Sequence, residues 1–421
     1  RRTAATDALH GRPDVETPAQ PLPAVGGSTD AGPGRVTFVA FAGRGGDTPV
    51  ERLVAGAQHA ATLDLLDLAR AEPLIRDLIL ATDAPDLAAR AAGERTTIHV
   101  DDSGRPFHFG NRLREIVDRP EVEVPLYFSG ASAPLLTAAS LHETCRRLLA
   151  SAGDARPGTV VANNLWSADF FGFTPKSALG RIDLPGAHDN SVPGLLARQA
   201  GLTADILEAS IGTIFDLDTP ADLTALHVHV GCRPHARAYL DACDLPVSRF
   251  EAAMPYLVSN KAQLALIGRV NATVWGTSTS DIPAAKRLFV EERGMVAFGR
   301  DASGEARTLV GHLYQAVGPT QFFRHLAELA DAILFDSRVL FAHLGLRLSA
   351  NDRFASDIGD VDAIDDPIAR EFTRAALEAP VPVLLGGHGI VAGSLWALTQ
   401  AAWDRADAGT LPEAVVRGSQ S

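Results

Sequence analysis

Ile211-Gly-Thr-Ile-Phe-Asp-Leu-Asp-Thr-Pro-Ala-Asp-Leu223 is the stretch whose reading decides the fold. The apolar run Ile211 to Phe215 reads as a strand, and Asp216 and Asp218 make an acidic turn. Thr219-Pro220-Ala221-Asp222 then opens a helix, with a hydroxyl cap, proline at the first helical position and an acid in the first turn. Strand, acidic turn and helix together place carboxylates at a strand end beside a helix N-terminus, where α/β proteins hold ligands. The plainer reading is that the two carboxylates only tie up turn amides.

Upstream of this stretch the same alternation repeats. Arg35 to Phe41 is a short β-branched and aromatic run, Leu78 to Thr82 and Thr96 to Val100 are two more, and Val122 to Phe128 and Thr159 to Ala162 come next. Apolar-periodic segments separate them, above all Val50 to Ala71 with Leu53, Val54, Ala57, Ala61, Leu65 and Leu68 on one face. Strands and helices in alternation predict an α/β domain with a doubly wound, mostly parallel sheet over 35–230. The first strand runs into Ala42-Gly43-Arg44-Gly45-Gly46-Asp47-Thr48-Pro49, a glycine-rich turn before a helix, where backbone amides can cradle a phosphate. A tight connection is the alternative. At the end of the 159–162 strand, Asn163, Asn164, Ser167 and Asp169 concentrate donors and acceptors suited to a base edge or sugar hydroxyls. His188 and Asp189 would face the same cleft, although turn roles account for Asn163 and Asn164, and capping for Asp189, equally well.

The phrase Asp216-Leu217-Asp218-Thr219-Pro220-Ala221-Asp222-Leu223 resembles the Asp-Ile-Asp-Thr-Pro-Glu-Asp-Leu phrase of nucleotidyltransferases with a glycosyltransferase-A-like fold. Those similar in size are the molybdenum-cofactor and 2-phospholactate guanylyltransferases. The order of segments agrees over residues 35 to 226. The resemblance implies a nucleotide-diphospho-sugar-transferase-like sheet and nucleotidyl transfer from a nucleoside triphosphate to a phosphorylated small molecule. By position it implies phosphate contacts at Gly43, Arg44, Gly45 and Gly46, with Arg52 as a cation, and acceptor or base contacts at Asn163 and Asn164. It implies a magnesium ion on Asp216 or Asp218, which also makes them the catalytic candidates. Two departures stand out. The turn Ser129-Gly-Ala-Ser-Ala-Pro-Leu-Leu136 carries Ser132 and Ala133 where the family has a second metal-binding Asp, and no lysine precedes Lys176. A non-catalytic nucleotide- or sugar-binding or assembly protein is therefore the competing reading, and chemistry lodged in the second half is a third.

Composition limits the choices. The 421 residues are enough for two or three domains. A net charge of −13 argues against a nucleic-acid partner, which would need a basic stripe. No apolar run approaches the roughly 18 residues of a membrane span. Nor does an apolar core follow Arg1-Arg2 as a secretory signal would require. The three cysteines, Cys145, Cys232 and Cys243, share no disulfide or metal spacing and fit reduced thiols, so a cytoplasmic location is expected. Residues 1–34, rich in Pro, Gly and Ala, read as a disordered tail.

Residues 231–421 read as a mainly α-helical domain, with helix formers over 237–242, 249–256 and 260–267, a small β element around Phe298 and Leu309-Val310, and a long helix through Phe323, Leu329 and Leu334. Two features invite chemistry there. The Asp-rich run Asp352 to Asp366 lacks calcium-loop spacing and reads mostly as caps and solvated surface. The second candidate site is Gly386-Gly387-His388-Gly389, where glycines bring the backbone close to something and His388 would stand at a helix N-terminus. A close-packed strand and helix crossing is the alternative.

Overall fold

The computed structural model describes residues 35–101, 106–130, 132–152, 158–186, 189–296 and 298–416, without the side chains of 273, 274 and 277–279. The expected tail at 1–34 lies outside them. Seven strands form the first sheet: β1 (Val36–Ala42), β2 (Ile75–Thr82), β3 (Thr96–Val100), β4 (Val124–Ser129), β5 (Thr159–Ala162), β6 (Phe170–Thr174) and β7 (Thr203–Ile206). Their order is β3-β2-β1-β4-β6-β5-β7, parallel throughout except that β6 runs against both β4 and β5. This is the mostly parallel, helix-flanked sheet that the alternation predicts.

The strands alternate as buried parallel strands should. Phe38, Ala40, Leu78, Leu80, Leu126 and Phe128 face one core, while Val39, Ile79, Ala81 and Tyr127 face another on the opposite side. The helix Pro49–Ala71 covers the first of these faces. Thr48 caps it in a reciprocal box with Glu51, Pro49 opens it, and alanines at 57, 60, 61 and 69 keep it thin enough to be buried on two sides.

Helices make up most of the second half, as expected, but they flank a second sheet that the sequence pattern does not reveal. Strands β8 (Gln263–Gly268), β9 (Ala285–Val290), β10 (Ala332–Asp336) and β11 (Val383–Gly386) pair in parallel in the order β11-β10-β8-β9. The stretch 260–267 reads as helical because Ala and Leu favour helices, yet burial on both faces makes its greater part a strand: Leu264 and Leu266 point into one core, Ala265 and Ile267 into the other. The apolar stretch expected to continue one helix through Leu334 is the helix Pro319–Leu329 followed by β10. Leu309-Val310, expected in a β element, opens the helix Leu309–Val317.

The two halves of the chain share a core. Val54, Ala57 and Ala61 of the Pro49–Ala71 helix and Leu223 and Leu226 of the helix Pro220–Val228 pack with Leu264, Leu334, Leu384, Leu395 and Leu398 of the second half. A layer of helices thus lies between the sheets. A buried carboxylate on that layer, Asp64, caps the helix Pro234–Asp241, accepting from the amides of His235 (2.9 Å) and Ala236 (2.8 Å).

Candidate functional site

The acidic turn is built differently from the expected strand. Ile211–Ile214 is a single helical turn, started by Ser210 in a reciprocal box with Thr213. Gly212 lies so close to the Leu135-Leu136 backbone that a Cβ there would meet the Leu135 carbonyl at 3.0 Å. Local capping and this crossing override the β-propensity of the apolar run. The chain then extends, and Asp216 bridges Ser132 in an antiparallel contact after β4.

Asp222 fixes the conformation of the turn itself. Its buried carboxylate accepts from the amides of Thr219 (2.8 Å) and Asp218 (3.2 Å), from the Thr219 hydroxyl (2.8 Å) and from the Ser394 hydroxyl (2.5 Å). Ser394 belongs to the helix Gly393–Asp407 of the second half, so one carboxylate ties the turn to both halves of the chain. Sequence reasoning gives Asp222 only a first-turn role. Burial pushes its carboxyl up to about 7, against the Ser394 hydrogen bond that holds it down.

The second candidate stretch folds onto the first. After β11, a Cβ on Gly386 would meet the Ala221 Cβ at 3.0 Å, one on Gly387 the Thr219 Cγ2 at 2.9 Å, and one on Gly389 the Asp222 Oδ1 at 2.1 Å. The glycines are therefore required by a backbone crossing, in line with the plainer reading, and the crossing delivers His388 to the acidic turn. One ligand atom each from Asp216, Asp218 and His388 lie within 4.8 Å of one another. Among the described residues no donor outside the pair bonds the Asp216 or Asp218 side chain, and the His388 ring has no hydrogen-bond partner. Loss of water around Asp216 holds its carboxyl well above the ordinary carboxylate range, and the charges of Asp218 and Asp169 push it further. Burial lowers the His388 imidazole, so its neutral, ligating form is favoured, while Asp218 pulls the other way.

Asp169 stands at the same strand end. Asn163 holds it from both sides, donating to its carboxylate (2.8 Å) and accepting from its amide (3.1 Å), and also donates to the Thr213 carbonyl (2.9 Å). Burial pushes Asp169 up to about 7, opposed by the Asn163 bond and helped by Asp218 and Asp189. Asn164 closes a turn by accepting from the amides of Trp166 (2.9 Å) and Ser167 (3.0 Å), leaving Ser167 exposed. Beside it Trp166, 48% exposed, lies under the Arg198 guanidinium at 4.2 Å. Asp189 accepts from the Tyr127 hydroxyl (2.9 Å), and His188 lies outside the described residues.

The turn Gly43 to Gly46 sits at the end of β1. Gly45 has φ +82°, and a Cβ there would collide with Ala55; Gly46 packs on Glu51. The Arg44 amide donates to Asp83 (2.7 Å), its side chain stays 61% exposed, and Arg52 is engaged by the Asp47 carbonyl of the same turn. From the other side come the carboxyl ends of the second sheet. Arg269 grips the buried Asp336 through two nitrogens (2.7 and 3.0 Å); burial opposes ionisation there, but the Arg269 charge outweighs it and keeps the Asp336 carboxyl low. Arg338 grips Asp357 in the same way (3.0 and 2.5 Å). Arg293 donates to the Arg269 carbonyl (2.9 Å), is exposed, and is near enough to Asp216 to feel its charge. The Asp352 to Asp366 run resolves into structure: Asp352 receives the amides of Asp365 and Asp366, Asp357 pairs Arg338, and Asp366 caps the helix Pro367–Leu377.

No helix of the described residues is long and apolar enough to cross a membrane. No family model matches the chain, and no curated protein matches it. Solved structures do. A cytidylyltransferase from Leptospira borgpetersenii is 13% identical, covering 49% of this chain and 92% of its own, with a TM-score of 0.37. Rv0371c from Mycobacterium tuberculosis H37Rv is 19% identical, covering 45% and 96%, at 0.32. The 4-diphosphocytidyl-2C-methyl-D-erythritol synthase of Anaerococcus prevotii is 11% identical, covering 45% and 94%, at 0.30.

Proposed function

We propose that this protein is a metal-dependent nucleotidyltransferase acting on a nucleoside triphosphate and a phosphorylated small molecule. The observation that carries the reading is the pair Asp216 and Asp218, two carboxylates with no donor from elsewhere among the described residues, at the carboxyl end of a sheet with one strand reversed. Oxygen donors of this kind suit a hard divalent cation. Such an ion, when bound, would neutralise triphosphate charge. The rest falls to the chain. The Gly43, Gly45 and Gly46 amides and the Thr48 end of the following helix would hold the phosphates, Arg44 would reach them with its exposed side chain, and Asp169, held by Asn163, would face the acceptor. An acceptor phosphate oxygen then forms a bond to the α-phosphorus as the bond to the β-phosphate breaks, and pyrophosphate leaves.

One observation favours a second reading, a binding protein without turnover. Ser132, at the position where the resemblance expects a carboxylate, is 1% exposed and donates to the Ser129 carbonyl (2.6 Å), so it brings a cation no negative charge. Isothermal titration with a panel of nucleoside triphosphates, with and without magnesium, on the wild type and Asp216→Ala, tests the proposal. Metal-dependent binding of a triphosphate, lost in Asp216→Ala, is expected, together with pyrophosphate release once an acceptor is found. Metal-independent binding unchanged by the substitution would favour the binding protein, and no binding at all would sink both.

A further inference from the structure

The proposed reaction leaves the ion with two carboxylates from one turn. A third donor comes from a different sheet. His388 follows β11, more than 160 residues further along the chain, and its ring lies with Asp216 and Asp218 inside a 4.8 Å circle. Several features hold it there. Glycines at 386, 387 and 389 permit the approach that a side chain at any of them would block. Ser394, at the start of the following helix, is hydrogen-bonded to Asp222, which in turn sets the acidic turn. Of the cations near the site, Arg269 holds Asp336 and Arg338 holds Asp357, while Arg293, which donates to the Arg269 carbonyl, stays exposed and feels the Asp216 charge. The ring has no hydrogen-bond partner among the described residues, and its two nearest ionisable neighbours on the acidic turn are carboxylates.

We infer that His388 is a protein ligand of the metal that Asp216 and Asp218 hold, and that the resident ion is therefore a first-row transition metal such as Mn2+ rather than Mg2+. The inference rests on the metal-dependent reading. Its chemistry is that of the donor set. Magnesium prefers oxygen donors and keeps its water, whereas iron, nickel and zinc suit imidazole, and manganese, which takes carboxylate as magnesium does, also accepts a histidine nitrogen beside it. A neutral imidazole and two carboxylates leave a bound dication with no net excess of positive charge from these three ligands, and they leave coordination positions open for phosphate oxygens. The second half of the chain thereby contributes a ligand to a site whose carboxylates belong to the first.

Mn2+ alone is the probe, because its electron spin reports bound nitrogen. The full chain is titrated with Mn2+ by electron paramagnetic resonance, and the bound ion is examined by electron spin echo envelope modulation for 14N coupling. One Mn2+ per chain with a histidine nitrogen signal is expected in the wild type. In His388→Gln the signal should vanish and the affinity should fall by at least about tenfold, the scale on which even groups behind a metal ligand act. His388→Asp should restore binding without nitrogen coupling and narrow the preference for Mn2+ over Mg2+. Far-ultraviolet circular dichroism and thermal melting show that the variants fold, and Gln and Asp together guard against a packing artefact of either. Mn2+ bound without nitrogen coupling, or with coupling unchanged in His388→Gln, overturns the inference and leaves the Asp216–Asp218 site standing. Failure of Mn2+ and Mg2+ alike to bind the wild type overturns the metal-dependent reading itself.

Discussion

Asp169 shows how a single carboxyl records its surroundings. It titrates near 7 in the folded chain against an ordinary value of 3.8, so between those values the folded state keeps a proton that the unfolded chain has released. The stability from this group is present at low pH and declines as the pH rises through about 7. Thermal melts of metal-free protein should show a falling midpoint from about pH 5 to about pH 8, and Asp169→Asn, which keeps an oxygen for Asn163, should flatten the slope; an equal slope in the variant would place the titrating group elsewhere. Ser394 tests the neighbouring link. Ser394→Ala removes a hydroxyl donor from a buried carboxylate and should destabilise by about 2 kcal/mol in denaturant titration. Asp216 and Asp218 are legible in the sequence because an acidic pair before Thr-Pro is a local pattern. Asp222 is not legible as an anchor, since its decisive partner, Ser394, lies 172 residues away. Asn163 and Asn164 stand out by residue type alone, which cannot tell a residue clamping Asp169 from one closing its own turn.

Elements follow the sequence where burial and propensity agree. The expected strand at 96–100 and that at 159–162 have the observed bounds, and the helix after the glycine turn begins one residue before its expected start, at its proline. Prediction fails where a short apolar run could be either element. Ile211–Ile214 is a helical turn through capping by Ser210, and 263–268 is a strand through burial on two faces. Strand β6 escapes notice because its aromatics adjoin a loop-like Asn-rich segment, although its reversal is what separates β4 from β5. The turn after β11 is the most exacting element. Gly389→Ala would place a methyl 2.1 Å from the Asp222 carboxylate, so it should cost about 3 kcal/mol and weaken metal binding through displacement of His388. Gly409→Ala, in open space but at φ +68°, is the control for backbone strain alone and should leave metal binding intact.

At the scale of the whole molecule, the helix layer between the sheets belongs to both halves. Val54, Leu223 and Leu398 lie in one continuous core, so thermal or denaturant unfolding should be a single transition, and Leu398→Ala should lower it by about 3 kcal/mol without splitting it. Two resolved transitions by circular dichroism and tryptophan fluorescence would mean that the halves unfold separately. The doubly wound sheet of the first half can be read from alternation. The second sheet cannot, because its strands are short, mostly buried and separated by long helical segments. The meeting of two candidate sites is invisible for the same reason that it matters: sequence distance says nothing of where β11 ends in space. His388 has one more consequence, which concerns time. A ribosome has made both carboxylates of the acidic turn long before it adds the imidazole, so a nascent or prematurely terminated chain can present Asp216 and Asp218 but cannot close the trio. Fragments ending just before residue 388 would keep β8, β9 and β10 and both carboxylates, yet would lack the proposed nitrogen ligand.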